Sequence, residues 1–104
     1  MTGTEKQIKW AEDIIENARK DFDNIFTFFN EMEQPEERIE AVEMVKKGFE
    51  EYVKNTDKAA DIIGSRLVLT EDWFIILADE FVDTHDESFT KFNKENLLIS
   101  LEIK

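Results

Sequence analysis

The only histidine of the chain, His85, lies in the acidic stretch 83–87 (DTHDE), whose residue types could ligate a metal ion. A calcium loop counted from Asp83 would need Gly at its sixth position and Glu at its twelfth, where this chain has Ser88 and Lys94. A zinc site would need more nitrogen or sulfur ligands than one histidine and no cysteine can supply. We therefore predict no metal site and expect His85 to lie in a solvent-exposed turn.

Paired carboxylates are the second kind of group that could do chemistry, as a general acid and a general base. With 25 Asp and Glu residues, however, close pairs arise by chance, so pairing alone indicates nothing. A general acid also needs an apolar pocket that raises its pKa, and only Asp61, beside Ile62 and Ile63, sits in such a run. We expect Asp61 on a helix surface. Three glycines and one histidine also provide no phosphate loop or catalytic triad, so we predict no enzyme activity and no cofactor.

The net charge restricts the choice of partner. Thirteen Lys and Arg against 25 acids give a formal charge of −12 in 104 residues. Such a chain is repelled by nucleic acid and by anionic membranes, so a charged partner should be a basic protein. The length of 104 residues predicts a single domain, and the absence of cysteine predicts a cytoplasmic location. The absence of any long apolar run predicts that no segment spans a membrane.

The acidic residues are unevenly distributed along the chain. Residues 35–66 carry eight acids and six bases, whereas residues 71–87 contain no Lys or Arg and seven acids: Glu71, Asp72, Asp79, Glu80, Asp83, Asp86 and Glu87. If one helix covers this stretch, Asp79, Asp83 and Glu87 stand four residues apart on one face, flanked by Glu80. We predict that these four form a solvent-facing row, spaced like successive phosphates, rather than pairing with the chain's own lysines. The seven acids are the predicted partner-binding residues. The alternative, that the acidity serves only solubility, stays open.

The elements that would position these carboxylates are mainly helical. Thr4 and Gln7 form the pattern of a capping box, and apolar residues then recur at steps of three or four: Ile8, Ala11, Ile15, Ala18, Phe22, Ile25 and Phe29. Trp10 and Phe28 lie on the flank of that stripe. We expect most of the aromatic residues to be core, and a stripe this broad needs several packing partners.

Turn signals divide the rest of the chain. Pro35 should begin a second helix, residues 55–57 should cap a short third one that ends at a left-handed Gly64, and Thr70 should cap a fourth. Residues 97–103 alternate like a strand that could pair with residues 66–69, but a final helix over about residues 87–101 is nearly as compatible with the pattern. The expected fold is a mainly α bundle of four to five helices in one domain, residues 1–104, with the question of a short C-terminal β-ribbon left open.

Two segments resemble a known module. Residues 3–14 (GTEKQIKWAEDI) resemble the opening of a small helical module of phage and mobile-element proteins of Gram-positive bacteria, and residues 59–66 (AADIIGSR) are similar to a pattern in one of its later helices. The resemblance covers residues 3–66. It implies a helical fold and a mobile-element origin, and it supplies no catalytic residues. Residues 67–104 would then be an acidic part packed on that module.

By size, charge and lack of cysteine, the chain also resembles the small inhibitors that phages use against host defences, including anti-CRISPR proteins and other nucleic-acid mimics. This resemblance implies an inhibitor, in the cytoplasm of a bacterial host, that occupies the basic nucleic-acid channel of a defence nuclease. The oligomeric state stays open, with a monomer favoured over a dimer. The alternative is a helical adaptor or regulator of a mobile element, whose apolar stripe binds another protein or a second copy of itself.

Overall fold

The structure is a computed structural model that describes residues 1–92. Within that range the chain forms four α-helices and two short 3-10 helices: α1 (Glu5–Glu31), α2 (Glu36–Asn55), α3 (Ala59–Gly64), a 3-10 helix (Arg66–Val68), α4 (Glu71–Thr84) and a second 3-10 helix (Glu87–Thr90). The prediction of a small, mainly α bundle is confirmed. Residues 1–92 contain only an isolated bridge between Thr2 and Lys58 in place of a sheet.

The first helix forms as its sequence predicts. The Thr4 hydroxyl accepts a hydrogen bond from the Gln7 backbone N–H (3.1 Å), and the Gln7 side chain accepts one from the Thr4 N–H (3.0 Å). Because these bonds satisfy two otherwise free donors, they define where α1 begins. The buried residues of α1 follow the predicted apolar stripe: Ala11, Ile15, Ala18, Phe22, Ile25 and Phe29.

Four phenylalanines from different parts of the chain form the centre of the core. Phe22 of α1 stacks on Phe74 of α4 with ring centroids 4.0 Å apart, and Phe49 of α2 lies 5.5 Å from Phe22 and 5.9 Å from Phe74. Phe92, just after the second 3-10 helix, contacts Phe49 and Phe74 edge-on. Burying each ring contributes about 2–3 kcal/mol. We call these four residues the phenylalanine cluster.

The connection from α2 to α3 differs from the expectation. The predicted cap at residues 55–57 is wrong, because α3 begins after Lys58, which makes no side-chain cap bond. Instead, the N-terminal segment holds this connection: the Thr2 N–H donates to the Asp57 carbonyl (2.7 Å), and the Ala59 N–H donates to the Thr2 carbonyl (2.9 Å). Gly64 is the last residue of α3 and has no positive φ, so its predicted left-handed role is also wrong.

The segment between α3 and α4 is not a strand. Residues 66–69 form a 3-10 turn in which Val68 and Leu69 are buried and Leu67 is exposed. The prediction that these residues form the first strand of a β-ribbon is therefore wrong. A continuous final helix from residue 87 does not form either, because the 3-10 helix ends at Thr90 and Lys91 is extended. The strand prediction for residues 97–103 lies outside the described residues.

Gly48 allows the second 3-10 helix to pack directly on α2. A Cβ at this position would overlap the carbonyl oxygen of Thr90 and lie 2.8 Å from its carbonyl carbon. We therefore expect Gly48→Ala to displace the backbone that carries Phe92 and to lower the free energy of unfolding by about 2–4 kcal/mol in urea denaturation.

Gly64 provides the matched control. A Cβ there meets nothing within 4 Å. Gly64→Ala should leave stability unchanged or raise it by about 0.4–1 kcal/mol, because it only restricts the unfolded chain. Equal effects of the two substitutions would contradict the close packing of α2 against Thr90.

Candidate partner-binding surface

One side of α4 is buried and the other faces solvent. Trp73, Phe74 and Ala78 are buried. Apart from Thr84, the last residue of the helix, the exposed positions recur at helical spacing: Asp72, Ile76, Glu80 and Asp83. These four residues, here called the acidic stripe, extend over about 16 Å at 1.5 Å per residue. Ile76, with 45% of its surface exposed, lies among the carboxylates.

The predicted row of Asp79, Glu80, Asp83 and Glu87 does not form. Asp79 is bound by Arg38 of α2 through two parallel bonds, from Nε to Oδ1 (2.8 Å) and from Nη2 to Oδ2 (3.1 Å). Glu87 leaves the row because α4 ends at Thr84. Only Glu80 and Asp83 of the predicted four remain together on the solvent face of α4, where Asp72 joins them.

Arg38 makes three contacts through its guanidinium, and the ion pair with Asp79 is one of them. Its Nη1 donates to the Gln34 side chain (2.9 Å), and its guanidinium lies 4.5 Å above the centre of the Phe29 ring. A planar guanidinium is suited to binding a carboxylate bidentately while it stacks on an aromatic ring. Asp79 therefore joins α4 to α2, and its charge is already compensated inside the molecule.

The helix end separates Asp86 and Glu87 from α4. His85 adopts a left-handed conformation (φ 56°) and is exposed, as its predicted turn position requires. The Ser88 backbone N–H donates a hydrogen bond to the Asp86 carboxylate (2.9 Å). This bond and a second one from the Ser88 hydroxyl hold the pKa of Asp86 below its ordinary value. Asp83, Asp86 and Glu87 thus place negative charge at the negative end of the α4 dipole, which does not favour helix stability.

Glu71 and Asp72, in contrast, lie at the positive end of α4, where carboxylates stabilise a helix. Thr70 begins α4 without a side-chain cap bond, and the Asp21 carboxylate of α1 accepts a hydrogen bond from the Glu71 backbone instead. Partial burial and the nearby charge of Asp72 raise the pKa of Asp21, although the bond from Glu71 acts in the opposite direction. Two of the seven predicted acids therefore have a structural role as well.

Ion pairing distinguishes Asp79 from the other predicted residues. Within residues 1–92, Asp79 is the only one of the seven that takes part in an ion pair. Glu71 and Asp79 are half-buried, and the other five acids are exposed. The structure thus brings Asp72, Glu80 and Asp83 together on α4 and leaves Asp86 and Glu87 just beyond its end.

The exposed apolar residues do not form one continuous surface. Trp10 and Phe28 are 48% and 52% exposed, and they lie about 27 Å apart along α1. Beside Trp10, the Arg66 guanidinium lies 5.4 Å from the indole ring, and Leu67 is 57% exposed. No local pattern in the sequence indicates the contact between Trp10 and Arg66, because the two residues are more than 50 positions apart in the chain.

In residues 1–92, no three His, Asp or Glu side chains are placed so that they could hold a metal ion. None of the helices in this part of the chain combines the length and the apolarity needed to cross a bilayer. Comparison with known proteins found no matching family model, no similar curated protein and no similar solved structure.

Removal of the Asp79 charge should reveal its structural role. We expect Asp79→Asn to lower the free energy of unfolding by about 1 kcal/mol, because it weakens a bidentate but partly exposed ion pair with Arg38. Asp83→Asn, which removes an unpaired charge from the negative end of α4, should be neutral or slightly stabilising. Urea denaturation of both variants at neutral pH measures the difference, and equal stabilities would contradict it.

Asp21 should make stability depend on pH in the direction set by its raised pKa. The folded state binds the Asp21 proton more tightly than the unfolded chain, in which this carboxyl has the ordinary aspartate pKa of 3.8. This carboxylate therefore destabilises the protein above its folded pKa, and the penalty disappears as the pH falls below 3.8. Asp21→Asn, which retains an acceptor for Glu71, should melt at a higher temperature than the wild type at pH 7 and at the same temperature near pH 3. A lower melting temperature at pH 7 would show that the carboxylate is favourable.

Proposed function

We propose that this protein is a phage or mobile-element inhibitor, without enzyme activity of its own, that acts in the cytoplasm of a bacterial host. Its acidic stripe, together with Asp86 and Glu87, would enter the Lys/Arg-lined nucleic-acid channel of a host defence nuclease of the CRISPR type. The observation that supports the proposal is that these carboxylates are exposed and take part in no ion pair within residues 1–92.

The inhibition would be steric and electrostatic. Carboxylates that stand in the place of phosphates can accept charge-assisted hydrogen bonds from the same basic side chains, so the protein and the nucleic acid would compete for one channel. Glu80 and Asp83 lie on adjacent turns, where side chains are about 5–6 Å apart. Like charges at this spacing repel and cost a few tenths of a kcal/mol, so a partner that neutralises them gains from relieving the repulsion.

Ile76 gives the acidic stripe an apolar centre. The aliphatic stems of Lys and Arg can pack on such a side chain while their charged ends reach the surrounding carboxylates. Contact of this kind also excludes water, which strengthens the ion pairs around it. The stripe therefore suits a protein surface of long basic side chains better than free counterions in solution.

A second candidate function is a helical adaptor of a mobile element, which the exposure of Trp10 and Phe28 favours. Aromatic residues are enriched among the side chains that contribute most to binding at protein interfaces. In this case hydrophobic contact would dominate, and neutralising the acidic stripe would have little effect on binding. The two candidates are therefore separated by which residues the partner needs.

The first experiment identifies the class of partner. The purified protein, immobilised, is exposed to lysate of a bacterial host that carries CRISPR components, and the column is washed at rising ionic strength. We expect a basic nuclease that is retained at low salt and released at high salt, because screening weakens exposed ion pairs. Recovery of ribosomal and other generally basic proteins alone would favour the view that the acidity serves only solubility.

The decisive test neutralises the acidic stripe in the triple variant Asp72→Asn, Glu80→Gln and Asp83→Asn. Each lost charge-assisted contact should cost about 1.5–3 kcal/mol where it is desolvated, so the loss of two weakens binding at least about a hundredfold. Binding to the recovered nuclease, and displacement of nucleic acid from it, are measured at one fixed ionic strength. The loss of the Asp72 charge from the positive end of α4 and the relief of repulsion between Glu80 and Asp83 act in opposite directions, so the melting temperature should change little.

The matched control removes the same charge elsewhere, as Glu12→Gln, Glu40→Gln and Glu43→Gln, three exposed positions on α1 and α2. It should retain wild-type affinity within a few fold. Equal losses in both triple variants would mean that only total charge matters. If Trp10→Ala or Phe28→Ala weakens binding more than the triple variant does, the adaptor function replaces the inhibitor.

A further inference from the structure

The molecule has a basic end opposite its acidic stripe. Residues 1–10 and 54–66 carry five Lys and Arg side chains against three acids, in a chain of net charge −12. Hydrogen bonds from Thr2 to the α2–α3 connection hold the two segments together. Arg66, over Trp10, takes part in no ion pair within residues 1–92. We call Trp10 and Arg66 the basic-end surface.

The two surfaces are too far apart to contact each other within one molecule. Arg38 contacts both Asp79 of α4 and the Phe29 ring of α1, so this part of α4 lies near Phe29. Phe29 is about 28 Å from Trp10 along α1. At its other end, the acidic stripe begins near Asp21, still about 16 Å from Trp10. The two surfaces therefore cannot form ion pairs with each other within one molecule.

We propose that the basic-end surface binds the acidic stripe of a second copy of this chain, head to tail. The chemistry of the two surfaces is complementary in both charge and polarity. Arg66 would meet the carboxylates of Glu80 and Asp83, and Trp10 would cover Ile76, the exposed apolar residue of the stripe. Such a contact uses different surfaces on the two copies, so it produces chains or closed rings instead of a two-fold dimer.

The net charge of the copies limits the strength of this contact. Two molecules of charge −12 repel each other at long range, and only the short-range contact between opposite charges favours association. At about 0.15 M salt the screening length is about 8 Å, so most of the long-range repulsion is removed while direct contacts persist. The association is accordingly weak and appears at high protein concentration.

The test mixes two variants that each block one surface. Arg66→Glu blocks the basic end and leaves the acidic stripe intact, whereas the neutral double variant Glu80→Gln and Asp83→Asn removes the stripe's partner charges and leaves the basic end intact. Because the double variant carries no new positive charge, the two blocked ends do not attract each other in the mixture. In sedimentation velocity at about 0.15 M salt and up to about 1 mM protein, the wild type should gain mass with concentration. Each variant alone should stay monomeric, with association weakened at least about tenfold. The mixture should form a one-to-one dimer and nothing larger, because each dimer retains one native contact and two blocked ends.

The controls match the charge changes at exposed positions away from both surfaces. Lys47→Glu corresponds to Arg66→Glu, and Glu40→Gln with Glu43→Gln corresponds to the double variant. Both should associate like the wild type. Trp10→Ala should weaken association without changing the net charge.

A wild type that stays monomeric over the whole concentration range would overturn the proposal, as would a mixture that does not dimerise. The measurement uses the purified chain alone, so its failure would leave the proposed inhibition of a nuclease untouched. Failure of the nuclease experiments would, equally, leave the self-association to be judged by sedimentation.

Discussion

The packing of four phenylalanine rings is the constraint on which the rest of the described structure depends. Phe22, Phe49, Phe74 and Phe92 come from four separate segments, and each ring contacts at least two of the others. Because Phe74 must face this cluster, the rotation of α4 about its axis is determined, and the helical period then directs Asp72, Ile76, Glu80 and Asp83 to solvent. The orientation of the acidic stripe is thus a consequence of core packing, although its carboxylates contribute nothing to the core.

Arg38 adds a second constraint, which changes the charge of the surface as well as the stability of the fold. It joins the α1–α2 connection, the Phe29 ring and Asp79 of α4 through one guanidinium. This contact holds the C-terminal half of α4 against α2, but it also compensates one carboxylate of the acidic region. In residues 1–92 the other predicted acids lack such an ion pair, and their mutual repulsion opposes the compact state by a small amount. The buried aromatic surface, at about 2–3 kcal/mol per ring, is large enough to offset that cost.

Local features of the fold could be predicted from the sequence, whereas features that depend on distant contacts could not. The capping box of α1 and the first turn of α4 involve neighbouring residues, and both were predicted correctly. The link from Thr2 to the α2–α3 connection, the packing of Thr90 on Gly48 and the ion pair between Arg38 and Asp79 join residues more than 40 positions apart. No local pattern indicates such contacts. The candidate site was affected in the same way: its carboxylates were identified, but Asp79 was assigned to the surface because Arg38 could not be seen beside it.

The two proposed contacts use the same acidic stripe, so they exclude each other, and their strengths decide which one operates. A second copy offers a single guanidinium with no ion pair within its described part, Arg66, and it carries a net charge that repels its neighbour. A nucleic-acid channel offers many basic side chains and an opposite net charge, so electrostatic attraction favours its association at both long and short range. At low protein concentration the stripe would therefore be free for a basic partner, and self-association would matter only where the protein accumulates. Head-to-tail association would then be a reversible state of the excess protein. Each dissociation event exposes one acidic stripe, which a basic channel can then bind.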